Sequence, residues 1–84
     1  MNTLTVTYHN VVKVGTRVYF WVWLETETET RSCCYSRYNG SWSFEDGDSE
    51  PEMSIELRVL FHSKKGDAAI NKCYKTGETV TLKA

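Results

Sequence analysis

The sequence predicts an all-β fold, a small antiparallel β-sandwich or barrel of about six to seven short strands. Three observations predict it. Residues 3–9 alternate between threonine and larger apolar side chains, residues 17–25 are rich in aromatic and β-branched residues, and Asn39-Gly40 is a strong two-residue hairpin signal. A chain of 84 residues supports one modest core, so residues 1–84 are assigned to a single β domain.

The first predicted strand covers residues 3–9. Its alternation turns three side chains toward the core: Leu4, Val6 and Tyr8. The apolar pattern continues through residues 11–14 with a shifted phase, which predicts a bulge or a bend.

The most informative segment is residues 17–25, which is apolar at every position from 18 to 24. Successive side chains of a strand point to opposite faces. One face is aliphatic apart from one phenylalanine and is predicted to be core: Val18, Phe20, Val22 and Leu24. The other face is aromatic and needs a second cover, which could be another layer, a subunit or a ligand: Tyr19, Trp21 and Trp23.

Residues 31–38 and 41–46 are predicted to pair across the Asn39-Gly40 turn. A two-residue turn fixes the register, so residues whose positions sum to 79 face each other. One face of this hairpin is predicted to be buried, and its members are Cys33, Tyr35, Arg37, Trp42 and Phe44. Arg37 is expected to cover Trp42 in a cation–π contact.

The remainder of the chain is also predicted to be β. Residues 53–61 alternate with Met53, Ile55, Leu57, Val59 and Phe61 on one side. Residues 63–67 form a polar loop, and residues 70–74 and 79–82 form a terminal hairpin around Thr76-Gly77. This pairing places Cys73 inside, opposite Val80.

Composition excludes several classes of protein. The formal net charge of −1 argues against a nucleic-acid binder. No apolar run reaches the roughly 20 residues of a membrane helix, and residues 1–16 do not resemble a signal peptide. A cytoplasmic location is therefore expected, or a secreted one if a leader was removed. The odd number of cysteines favours three reduced thiols, because a Cys73 disulfide to Cys33 or Cys34 would leave one unpaired.

Acidic residues are concentrated in two segments, 25–31 and 45–52. If the aromatic strand continues unbroken, Glu25, Glu27 and Glu29 extend its aromatic face. Segment 45–52 has alternating carboxylates but does not fit the twelve-residue EF-hand loop, which needs a glycine at its sixth position and flanking helices, so a calcium site is not expected. A solvated loop is the default interpretation, and a patch for a basic partner is the second.

No enzymatic constellation stands out. His9 and His62 lie outside any recognised motif, the cysteines lack C-x-x-C spacing, and the chain has no Gly-rich phosphate loop. The sequence therefore predicts no catalytic residue, no metal site and no cofactor.

The predicted function is a non-enzymatic binding module, inhibitor-like or self-associating, that meets a protein partner or a second copy. Large aromatic residues concentrate binding energy at protein interfaces, and acidic neighbours supply orientation. The predicted binding residues are Tyr19, Trp21, Trp23, Glu25, Glu27 and Glu29. The alternative is a carbohydrate-binding, lectin-like module in which the same rings stack on sugar faces.

Overall fold

The structure is a computed structural model that describes residues 2–38 and 40–84. It contains one open antiparallel sheet of five strands and two helices packed against it. The strands are β1 Thr3–Val14, β2 Arg17–Glu25, β3 Thr30–Tyr38, β4 Ser41–Gly47 and β5 Val80–Lys83. The helices are α1 Ile55–Phe61 and α2 Lys64–Thr76. The fold is α+β, and the predicted all-β sandwich or barrel of six to seven strands is wrong.

The sheet order is β4-β3-β2-β1-β5, which makes the aromatic strand β2 the middle strand. The first four strands form a meander because each is joined to the next by a short connection. The phase change predicted for residues 11–14 is confirmed, since the β1–β2 register shifts between Tyr8 and Asn10. β5 closes the other side of the sheet, with Val80 opposite Val6 and Leu82 opposite Leu4.

The predicted β3–β4 register is confirmed. Tyr38 pairs with Ser41 and Arg37 with Trp42, so the positions sum to 79 as expected. Gly40 has φ 87°, which suits a tight hairpin turn, while Asn39 lies outside the described residues. A bulge at Glu45 follows, so that Cys34 pairs with Asp46 and the paired positions sum to 80 from there on.

The strand predicted for residues 53–61 is instead helix α1. Ser54 caps it, accepting a hydrogen bond from the Leu57 N–H at 3.2 Å. Leu57 and Phe61 are buried one turn apart, whereas Ile55 and Val59 are 78% and 66% exposed. The period-2 alternation was therefore coincidental, and the helical spacing of Leu57 and Phe61 decides which residues are buried.

The first strand of the predicted terminal hairpin is instead part of helix α2, and Thr76-Gly77 ends that helix. Gly77 adopts the left-handed conformation at φ 72° and donates its N–H to the Cys73 carbonyl at 2.8 Å. Ser63 caps the beginning of α2. The buried residues follow helical spacing: Gly66, Ala69, Ile70 and Cys73.

The core lies between the two helices and the sheet face that they cover, here called the helix face. Three of the four predicted core residues of β2 are confirmed, since Phe20, Val22 and Leu24 are fully buried, whereas Val18 is only partly buried. Cys73 is buried as predicted, but it reaches the core from α2 rather than from a strand. No helix among the described residues is long and apolar enough to cross a membrane.

Candidate functional site

The opposite side of the sheet, here called the outer face, carries the predicted aromatic row. Tyr19, Trp21 and Trp23 alternate with the buried core residues of β2, so they point away from both helices. Trp23 is 38% exposed, and Tyr19 and Trp21 are half-buried. The aromatic row thus lies along the middle strand of a sheet face that no described element covers.

Neighbouring strands hold the aromatic side chains in place. The ring of Trp23 packs edge-on against His9 of β1, with the centroids 4.6 Å apart. Trp21 lies over Gly47 of β4, where a Cβ atom would sit only 2.9 Å from Cζ3 of the indole. The row is therefore fixed by packing before any partner binds, which reduces the ordering cost of association.

The two ends of β2 carry opposite charges on the outer face. Arg17 begins the strand, and its guanidinium lies 5.3 Å from the centre of the Tyr38 ring. Glu25 ends the strand and is exposed. Because all odd-numbered positions of β2 share one face, the row reads from cation through three aromatics to anion.

The other two predicted acidic residues do not extend this row. β2 ends at Glu25, and a turn follows in which the Thr26 N–H donates to the Glu29 carbonyl at 2.9 Å. The Glu29 carboxylate accepts hydrogen bonds from the Glu52 N–H at 2.6 Å and from Arg31 at 2.5 Å. Both bonds favour the ionised form and lower the pKa of Glu29. Glu29 thus anchors the connection to α1, and Glu27 lies in the turn.

The acidic segment 45–52 is more structured than a solvated loop. Glu45 and Asp46 belong to β4, and the Asp48 carboxylate accepts a hydrogen bond from the Ser32 N–H at 3.1 Å. The Glu50 carboxylate accepts a hydrogen bond from the Tyr35 hydroxyl and also contacts His62 Nε2 at 2.7 Å. Burial, followed by the Glu50 hydrogen bond, raises the pKa of Tyr35. The sequence reasoning missed this Tyr35–Glu50–His62 chain because it assigned residues 53–61 to a strand.

A cleft of about 460 Å³ lies beside this chain, between β4 and the junction of the two helices. We call it the edge cleft. Aromatic residues line much of it, with serines and charged side chains at its rim: Tyr35, Ser41, Trp42, Ser43, Phe44, Phe61, His62, Ser63, Lys64, Asp67 and Ile70. The helix signals at Ser54, Ser63 and Gly77 were the features of the sequence that could have located it.

All three cysteines are buried free thiols. Burial, with Glu50 and Asp48 nearby, raises the pKa of Cys33 to about 12. Burial, with Asp46 and Glu45 nearby, raises the pKa of Cys34 to about 11. Within residues 2–38 and 40–84, no group of three or more His, Cys, Asp or Glu residues is placed to hold a metal ion.

Because the pKa values of these thiols are raised, we expect the protein to lose stability at high pH. Their pKa values in the folded protein lie above the ordinary value of 9.0, so their contribution is complete below pH 9. It is lost as the pH rises toward about 11 for Cys34 and about 12 for Cys33. We expect the urea midpoint to fall between pH 9 and 11, and to fall less steeply in Cys33→Ala. An equally steep decline in that variant would show that this thiol does not contribute.

Comparisons of the chain with protein-family models, with curated protein sequences and with solved structures find no match. The features of the molecule that bear on function are therefore the outer face and the edge cleft.

Proposed function

We propose that this protein is a non-enzymatic binding module that associates with a second copy of itself through the outer face. The observation that supports the proposal is the aromatic row of Tyr19, Trp21 and Trp23 on the middle strand, opposite both helices. A contiguous apolar patch of this kind seldom occurs on a protein surface without a binding role.

The charge pattern of β2 favours a second copy as the partner. Arg17 and Glu25 are equidistant from Trp21 along the strand. Consider a two-fold axis that lies between the outer faces of the two copies, perpendicular to β2 and level with Trp21. This axis places Trp21 of one copy against Trp21 of the other. It also sets Arg17 of each copy above Glu25 of the other. Such an isologous contact is the commonest arrangement in homodimers.

The size of the outer face suits this contact. Five strands about 4.8 Å apart, with nine residues in β2 rising about 3.4 Å each, give a face of about 700 Å². Specific interfaces bury about 600–1,000 Å² per partner, so a face of about 700 Å² reaches the lower part of this range if nearly all of it is used. Glu45 and Asp46 lie in the edge strand, at the rim, where solvent and salt weaken repulsion between copies.

Charge reversal tests the proposal. The native chain should sediment at twice its 9.7 kDa mass at micromolar to millimolar concentration, with Arg17→Glu and Glu25→Arg each monomeric. Arg17→Glu has two acidic ends and Glu25→Arg has two basic ends, so each repels its own copy. An equimolar mixture of the two variants should recover the dimer, because both contacts then join opposite charges.

Two further variants complete the test. Trp23→Ser should weaken association by about 2 kcal/mol with little change in stability, since this ring is the most exposed of the three. Lys13→Glu makes the same charge change as Arg17→Glu at an exposed position of the neighbouring strand. Lys13 pairs with Val18 and therefore lies on the helix face, so this variant should leave the dimer intact. A native chain that is monomeric at millimolar concentration, or a mixture that stays monomeric, would contradict self-association.

Carbohydrate binding by the same rings is the alternative that this experiment separates. A glycan-binding module does not need to self-associate, and a glycan array would detect a ligand that Trp23→Ser no longer binds. The position of Glu29 favours the protein proposal, because its carboxylate is bound to Arg31 and to the Glu52 backbone, not set beside the rings.

A further inference from the structure

β4 is an edge strand with one open backbone side. Among the described residues it pairs only with β3. The Trp42 N–H donates to the Asp67 carboxylate at 2.9 Å, so the backbone at Trp42 points away from β3. Phe44 is two residues further along the strand, and its N–H and carbonyl therefore point to the same open side. An edge of this kind can accept another strand.

The edge cleft lies directly beneath this open side. Phe44 is 47% exposed beside the cleft, and Trp42, Tyr35 and Phe61 contribute the other aromatic walls. A strand added to β4 would turn every second side chain toward the helix face. One such side chain would enter the cleft, where an apolar or aromatic group matches the lining.

The charge along β4 determines which strand fits. Glu45 and Asp46 are exposed near its C-terminal end, and Asp48 is exposed just beyond it. A second copy paired parallel through β4 would bring these carboxylates together, and like charges on neighbouring strands are destabilising. An antiparallel copy centred on Phe44 would set them opposite residues 40–43, which carry no cation. A strand that carries lysine or arginine is favoured instead.

We propose that β4 binds an extended basic peptide by strand addition, with one apolar side chain of the peptide in the edge cleft. Backbone hydrogen bonds at Phe44 would supply affinity, and the cleft and the carboxylates would supply selectivity. The backbone edge and the cleft are distinct from the outer face, so this proposal goes beyond the self-association proposed above. Asp46 lies at the rim of the outer face, because it pairs with Cys34 and Cys34 pairs with Trp21.

The test uses a synthetic peptide that alternates threonine and lysine around one central phenylalanine. Three matched peptides replace lysine by glutamate, replace phenylalanine by alanine, or carry N-methyl groups on the edge that would pair with β4. We expect the basic peptide to bind at least about tenfold more tightly than each of the three. In amide exchange measurements, binding should slow exchange of the Phe44 N–H.

A variant of the protein tests the charge selectivity directly. Asp46→Lys should reduce or reverse the preference for the basic peptide, because it replaces an exposed carboxylate of β4 by a cation. Glu78→Lys makes the same change beyond α2 and should leave the preference unchanged. Binding that ignores peptide charge or N-methylation would overturn the proposal. So would the absence of binding at millimolar peptide, or Phe44 protection that increases with protein concentration alone.

Discussion

Gly66→Ala is expected to destabilise the protein by about 3 kcal/mol or more, although alanine is the better helix former. In the middle of a helix that substitution ordinarily gains about 1 kcal/mol. Gly66 is different because it is buried where α2 passes the end of α1, and a Cβ atom there would lie 1.6 Å from the Phe61 carbonyl oxygen. The clash is with backbone, so the two helices must separate to relieve it.

Urea denaturation measures the effect, with Ala68→Gly as the matched control. Ala68 is an exposed residue of the same helix, so its change to glycine should cost only about 1 kcal/mol, the difference in helix propensity. If Gly66→Ala were as stable as the native chain, α1 and α2 could not approach as closely as described. The same approach forms one wall of the edge cleft, so peptide binding at β4 should also be lost in any folded fraction of this variant.

The N-terminal half of the fold could be predicted because its local signals agree with one another. β-branched and aromatic residues, strict alternation in residues 3–9 and a two-residue turn all favour the same hairpins. The face of β2 that carries Phe20 is buried in the core, as predicted. The register of β3 against β4, in which Tyr38 pairs with Ser41, followed from the length of the turn alone. The aromatic row was correctly assigned to the other face because a strand has only two.

The C-terminal half was mispredicted because the same residues fit both the two-residue period of a strand and the 3.6-residue period of a helix. Residues 53–61 alternate, but Leu57 and Phe61 also satisfy the helical spacing, and the Ser54 cap favours the helix. Thr76-Gly77 likewise suits both a hairpin turn and the end of a helix. Without these helices the sheet had to be covered by a second sheet, so the edge cleft and the Tyr35–Glu50–His62 chain could not be foreseen.

Gly47→Ala is expected to cost about 3 kcal/mol and to displace an aromatic ring of the outer face. Gly47 has φ 90°, where an alanine is strained by about 1 kcal/mol. The added Cβ would also lie 2.6 Å from the Ser32 carbonyl oxygen and 2.9 Å from Cζ3 of Trp21. The carbonyl belongs to the β3 ladder and cannot move freely, so the indole must shift.

Gly40→Ala is the matched control, because the φ of Gly40, 87°, is close to that of Gly47 but nothing lies within 4 Å of the added atom. The stability lost in Gly40→Ala should therefore equal the cost of backbone strain alone, about 1 kcal/mol. Urea denaturation gives both losses, and the excess in Gly47→Ala measures the contacts. Equal losses would mean that Trp21 is not held against β4.

The double variant Trp21→Ala/Gly47→Ala separates the ring from the carbonyl. Removing the indole relieves the 2.9 Å contact but not the 2.6 Å one, so the two substitutions should be less than additive by about 1 kcal/mol. The same displacement links stability to binding: a Trp21 ring pushed off Gly47 no longer presents the flat row that a second copy would cover. Gly47→Ala should therefore weaken self-association in the folded protein, and Gly40→Ala, with its ring contacts untouched, should not.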